Sequence, residues 1–306
     1  MVSAIPFAPL PQEVHAQAAY NPPKGAPGMS DTLGSAASPQ QPTPYPDVKV
    51  VVHELLTSIQ AILGAQLQGM YLVGSLALGD FHPQDSDLDL VIVTVGTLSD
   101  ETVASLRELH RRFDHSASAW ATRLDAVYIP QEVVREAFPT AARYPILEWP
   151  GLLALEPLES GWPIQRYTLR EYGVVVSGPD PSSLLDPVNP DDLRQASAAI
   201  VEEWRARAHR DPEWVAELQV RSHQTFVVLT LCRLLYTLET GSVASKPAAA
   251  RWVERTLPSR WSGLLGHATT QQHATDDELE DEVTNTLALL EYTYEHYQQW
   301  QVSSTS

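Results

Sequence analysis

An α+β fold, in which a mixed sheet with helices is followed by an all-α helical part, is predicted by three features of the 306-residue sequence. Residues 71–94 run as an apolar strand, a Gly-Ser turn and a second apolar strand that opens on two aspartates one residue apart. Helical and extended periodicities alternate between about residues 47 and 178, and after Gly178-Pro-Asp-Pro only helical periodicity remains. The expected organisation is therefore a disordered segment over 1–46, an α and β domain over 47–178 and a helical domain over 179–306.

Residues 1–46 hold ten of the 24 prolines, with Ala, Ser and Gln between them. Such a composition buries too little to offset its ordering entropy. Met1 and Met29 both remain open as the start of the protein. Val48, Val52, Leu55, Ile59 and Leu63 recur at three- and four-residue steps, the mark of an amphipathic helix leading into the strand before Gly74. The strand after Asp87 ends near Val95, Ser99 caps a helix that runs to Phe113, and Arg123 to Ile129 forms a third strand. Pro130 opens a short helix, a usual place for proline. In the second half Asn189-Pro190 signals a helix start, and periodic segments lie near 191–209, 212–240, 247–256 and 276–300. The Thr275-x-x-Glu278 capping box and the acidic run Asp276 to Glu282 suit the positive end of the last helix, so no catalytic role is expected there.

The turn between the first two strands carries the chemistry. Side chains at i and i+2 of a strand share a face, so Asp87 and Asp89 stand side by side while Leu88 and Leu90 face the core. Two adjacent carboxylates call for a cation, and Mg²⁺, a hard ion that keeps positions open for phosphates, meets that need. Gly74 lets backbone approach a bulky ligand, and Ser75 offers a hydroxyl and an N–H to phosphate oxygens. An isolated Asp-x-Asp reads equally well as a solvated turn. Here the Gly-Ser pair and both flanking strands are in order, which favours a metal-triphosphate site.

Composition narrows the partners. With 20 basic and 38 acidic residues the formal charge is −18, which opposes wrapping of a nucleic-acid backbone. The same acidity attracts a small polycationic substrate, or simply aids solubility. Cys232 is the only cysteine, so neither an intrachain disulfide nor a Cys-based metal site is possible. No uninterrupted apolar run reaches 18 residues, and no basic segment followed by an apolar one opens the chain. A soluble, cytoplasmic protein without a membrane partner is expected.

The Gly74-Ser75 to Asp87-x-Asp89 pattern resembles the nucleotidyltransferase superfamily that includes DNA polymerase beta and the aminoglycoside adenylyltransferases. That resemblance implies a nucleotidyltransferase-type mixed sheet, with ATP as co-substrate and Mg²⁺ held by Asp87 and Asp89. Asp125, in Thr-Arg-Leu-Asp-Ala-Val-Tyr-Ile, falls where the family's third strand carries a glutamate base. One methylene shorter, it is open to two roles, general base or metal ligand. The segment from Val227 to Trp252 looks like the helical region of streptomycin and spectinomycin adenylyltransferases, in which an Arg and a Lys thirteen residues apart contact ATP; Arg233 and Lys246 keep identity and spacing. Physics agrees: a charge inside an apolar helix and a cation at a helix start are both unfavourable unless paired. Glu148-Trp149 stands near the family's Glu-Trp pair, whose Trp stacks on streptomycin. Gln219 and His223 occupy places where the family has carboxylates for its cationic drug.

The resemblance covers most of residues 70–265 and implies Mg²⁺-dependent transfer of AMP from ATP to a hydroxyl of a small molecule, an aminoglycoside or aminocyclitol. Glu148, Trp149 and His223 are the implied acceptor contacts, and the two lost acids favour a spectinomycin-like compound over streptomycin. The alternatives are adenylylation of a protein hydroxyl, as in antitoxin-type nucleotidyltransferases, and a non-catalytic nucleotide-binding regulator. The oligomeric state is left open by the sequence.

Overall fold

The structure is a computed structural model that describes residues 43–304 except 85, 117, 139, 149–151 and 271–275, and describes no side chains for 276–280 and 300–304. The expectations for residues 1–42, for Trp149 and for the Thr275 capping box lie outside the described residues.

Six strands form one mixed sheet: β1 (Leu67–Leu72), β2 (Leu88–Thr94), β3 (Leu124–Pro130), β4 (Arg143–Leu147), β5 (Ala154–Pro157) and β6 (Val174–Ser177), in the order β5-β4-β3-β2-β1-β6. Only β2 and β3 run parallel; every other pair is antiparallel. The parallel pair needs a crossover, which is supplied by α3 (Asp100–Asp114), and Ser99 Oγ accepts from Thr102 N to cap it as expected. Ahead of the sheet lies α1 (Pro46–Leu63), while α2 (Gly74–Ala77) is the turn between β1 and β2.

The central strands read as continuous apolar runs because both of their faces are covered. Met70, Leu72, Leu88, Leu90, Ile92, Leu124 and Tyr128 pack against α1 and α3, and Val48, Val52, Leu55, Ile59 and Leu63 supply the buried stripe of α1. By length and composition the helical stretch Pro46–Gln66 could cross a membrane, but burial of that stripe against the sheet makes it a core helix. The opposite face, with Tyr71, Val91, Val93, Val127 and Ile129, packs on α4 (Gln131–Val134), α5 (Trp162–Tyr172) and α6 (Pro181–Leu184). Asp87, Asp89 and Asp125 share the parity of this second face.

The remaining helices are α7 (Pro190–Arg210), α8 (Pro212–Glu217), α9 (Arg221–Thr240), α10 (Lys246–Thr256), α11 (Ser262–Thr270) and α12 (Asp276–Ser304). α9 is apolar on most of its circumference because α7, α10, α11 and α12 all pack on it, and α5 meets α7 to join the helices to the sheet. Asn189 Oδ1 accepts from Asp191 N at the start of α7. Glu282, in the acidic start of α12, pairs with Arg221 and His267, a structural use.

Two expectations about helix extent are corrected. The periodic stretch 212–240 is two helices, since Leu218, Gln219 and Val220 close an i→i+3 turn on Val215, Ala216 and Glu217, a break that no glycine or proline marks. α11, absent from the sequence reading, carries Gly263 and Gly266, which weaken its intrinsic helical signal.

Candidate active site

The register of the parallel strands sets the centre of the site. Asp89 on β2 is the direct neighbour of Asp125 on β3, so the two carboxylates project side by side from the same face at the spacing of adjacent strands, about 4.8 Å. Asp87 precedes β2 by one residue and is exposed. Arg123, which sequence reasoning used only as a strand end, holds the loop that delivers Asp87: its guanidinium donates to the carbonyls of Pro83, Gln84 and Ser86 and lies 4.4 Å from the ring centroid of Trp120.

Gly74 is at φ +60°, and a Cβ there would fall 1.8 Å from Asp89 Oδ2. Any side chain would therefore strain the backbone and displace the carboxylate that rests on this Cα. Val73 N donates to the carbonyl of Asp89 at 2.9 Å, fixing the same contact through backbone. Ser75 is the next residue of α2 and is half-buried.

The electrostatics show an acidic centre short of positive charge. Burial, then Asp125 and Asp87, push the Asp89 carboxyl up to about 7, against the opposing pull of Lys246 and Arg233. Asp87 is also raised, chiefly because neighbouring protein atoms partly desolvate its carboxyl although the residue as a whole is exposed, with Lys246 and Arg123 pulling it down. From the helical half, Arg233 on α9 has its guanidinium set against Asp89, burial lowering its pKa and Asp89 raising it. Lys246, the first residue of α10, is lowered by burial and by Arg233 and raised by Asp89 and Asp87. These couplings bring Asp87 and Asp89 together with two basic side chains far away in sequence, Arg233 and Lys246.

A cavity of about 220 Å³ opens beside them, lined by Gly74, Asp89, Asp125, Glu148 and Arg233 and walled further by Glu159, Trp162, Gln165 and Thr168. Glu148 follows β4 at the mouth, its carboxyl raised by burial and by the negative charges of Glu159 and Glu156. Glu159 is raised by burial and by Glu203. Sequence reasoning missed Glu159, Trp162, Gln165 and Thr168, because the short β4 and β5, each with a proline, and α5 carry little periodic signal.

His223, an acceptor contact implied by the sequence, does not line this cavity, and neither does Gln219. His223 sits on the first turn of α9, with its ring 6.3 Å from that of Trp214 and Nε2 3.8 Å from Glu217 Oε2. Ten residues of helix separate it from Arg233, roughly 15 Å along the axis. Gln219 is exposed in the turn ahead of α9.

The donor set suits Mg²⁺. Asp87 and Asp89 offer hard carboxylate oxygens, and burial first, then the charges of Asp125 and Asp87, raises the pKa of Asp89. Among the described residues no cluster of three His, Cys, Asp or Glu forms a metal site. An ion held by two carboxylates and completed by phosphate oxygens has that character.

Fold and site together define a nucleotidyltransferase. A nucleotidyltransferase domain model matches residues 52–132, and the model of the aminoglycoside adenylyltransferase C-terminal domain matches residues 183–296. The chain is similar to the aminoglycoside adenylyltransferases over both matched regions and is an adenylyltransferase. It is 27% identical over 256 residues to a spectinomycin 9-adenylyltransferase of Campylobacter jejuni, covering 79% of this chain and 92% of that protein. It is 24% identical over 244 residues to an aminoglycoside (3'') (9) adenylyltransferase of Shigella flexneri, covering 76% and 88%. Its fold matches the crystal structure of spectinomycin adenyltransferase AAD(9) from Enterococcus faecialis with ATP and spectinomycin, with a TM-score of 0.61 at 18% identity, over 81% of this chain and 99% of that one.

Proposed function

We propose that this adenylyltransferase moves AMP from ATP to a hydroxyl of an aminocyclitol antibiotic of the spectinomycin kind. The observation that carries the reading is the meeting of Asp89 and Asp125 in register with Arg233 beside a cavity. In this reading the nucleotide lies between the sheet and the helices that follow residue 178. Asp87, Ser75, Lys246 and Arg233 form the triphosphate side; Asp125, Glu148 and Glu159 form the acceptor side, with Asp89 between them.

In the reaction the acceptor hydroxyl oxygen forms a bond to the α-phosphorus of ATP, the α–β phosphoanhydride bond breaks, and pyrophosphate leaves with the electron pair. Asp125 takes the hydroxyl proton, and Arg233 and Lys246 neutralise the triphosphate. Asp87 and Asp89 would hold Mg²⁺, which would supply further positive charge against the phosphates. Gly74 keeps the Asp89 carboxylate in place.

Support for a cationic acceptor comes from the two glutamates at the cavity mouth, which have no basic partner among the causes of their shifts. Glu148 and Glu159 line the cavity, whereas Gln219 and His223, at the places where the family has its acids, do not. The neutral residues at 219 and 223 and a cavity of about 220 Å³ favour a compact aminocyclitol over streptomycin. Steady-state rates with the two compounds test this: spectinomycin is expected to have the higher kcat/KM by about tenfold or more, the value of one lost charge-assisted contact. Equal or better use of streptomycin would refute the spectinomycin preference.

A further inference from the structure

Lys246 is badly placed for a lysine. It opens α10, where the helix dipole disfavours a cation, while Ser245 caps the helix by accepting from Ala248 N at 3.4 Å. It faces the like charge of Arg233 and is largely desolvated, which pushes its pKa down. A four-carbon stem with three rotatable donors has many other orientations to choose from. Something must hold the ammonium toward Asp87 and Asp89 before a nucleotide arrives.

The Lys246 Nζ lies 4.5 Å from the ring centroid of Phe226, inside the range of a cation–π contact. Phe226 is on α9, seven residues and so two turns before Arg233, which puts the two side chains on one face of the helix about 10 Å apart. It is 47% exposed on a helix whose other large apolar residues are mostly buried. Its one ring neighbour among the described residues is Trp204, at 6.3 Å. Exposure of a single phenylalanine means little by itself; the ammonium seated on its face gives the ring a use.

We propose that Phe226 is a positioning residue, whose ring face holds the Lys246 ammonium beside the two aspartates so that the cation stands ready for the phosphates of ATP. The inference rests on the reading that Lys246 contacts the nucleotide. It requires an aromatic side chain at 226, since bulk alone supplies no quadrupole. Leucine at this position would keep the apolar contact to Trp204 and lose the cation–π attraction, whereas tyrosine would keep both.

A double-mutant cycle with Phe226→Leu, Phe226→Tyr, Lys246→Met and the pair Phe226→Leu/Lys246→Met tests it, with KM for each substrate, kcat, the Kd of Mg·ATP and a thermal melt for every variant. Phe226→Leu is expected to raise the KM and Kd for ATP by about three- to tenfold, with KM for the acceptor and Tm unchanged. Phe226→Tyr is expected to behave as wild type, and the leucine effect to vanish when Lys246 is already methionine. An equal leucine effect in the Lys246→Met background, or an effect confined to the acceptor KM, would overturn the positioning role while leaving Lys246 on the nucleotide. Unchanged ATP affinity in Lys246→Met would overturn the underlying reading, and the positioning role with it.

Discussion

Asp89→Asn is expected to lower adenylyl transfer by about 10² to 10⁴ and at the same time to stabilise the metal-free protein at alkaline pH. The first effect follows from loss of the charge between the triphosphate and the acceptor. The second follows from linkage. The folded-state carboxyl is raised to about 7 by burial, Asp125 and Asp87, so the folded protein holds a proton that the unfolded chain releases near pH 4. Stability from this group is fully present below its unfolded pKa and is lost as pH rises through about 7. Asparagine carries no charge at any pH and removes that loss. Thermal melts in EDTA at pH 5 and pH 8 should show the wild type losing on the order of 2 kcal/mol more than the variant over this interval. Parallel pH dependence of the two proteins would contradict the assignment of Asp89 as the unbalanced carboxylate.

Asp125→Asn carries the second large expectation, a fall in turnover of about 10² to 10⁴ with the Kd of Mg·ATP nearly unchanged. The cavity lining favours the general base of the two roles open to this residue. Asp125 lines the cavity together with Glu148 and Glu159. A base must reach the acceptor hydroxyl, and this is the flank where an acceptor fits. Calorimetry separates the cases: retained ATP affinity with collapsed turnover supports the base, and a large loss of affinity would place Asp125 with Asp89 in the metal shell.

How much of this was legible depended on whether local pattern and tertiary placement agreed. The run from Leu88 to Thr94 announces a strand covered on both faces, and an aspartate at position 89 in such a run has no structural reason to be there. α1 and α3 were legible from their stripes and from Ser99. Arg233 and Lys246 stood out because each opposes its local setting, a charge in an apolar helix and a cation at a helix start, and both couple to Asp89. The cavity wall was not legible. Pro145 interrupts β4, β5 spans four residues ending at Pro157, and Glu159 lies in the loop before α5, so no periodicity marks the segment that faces Asp125. His223 drew attention by its chain position ahead of Arg233. Sequence alone could not reveal that three turns of helix carry it away from the cavity and onto Trp214.

The acidic charge of −18 takes on a local meaning in the site. Asp87, Asp89, Asp125, Glu148 and Glu159 cluster around two basic side chains, an imbalance suited to a divalent ion on one flank and an amine on the other.

The most direct measurement is the mass of the product formed when the wild-type protein is incubated with ATP, Mg²⁺ and spectinomycin, with pyrophosphate assayed in the same mixture. The account predicts spectinomycin carrying one adenylyl group, one pyrophosphate released per adduct, and neither product from Asp89→Asn under the same conditions. No adduct on any aminocyclitol or aminoglycoside, together with an adenylylated protein when cell lysate replaces the antibiotic, would contradict it.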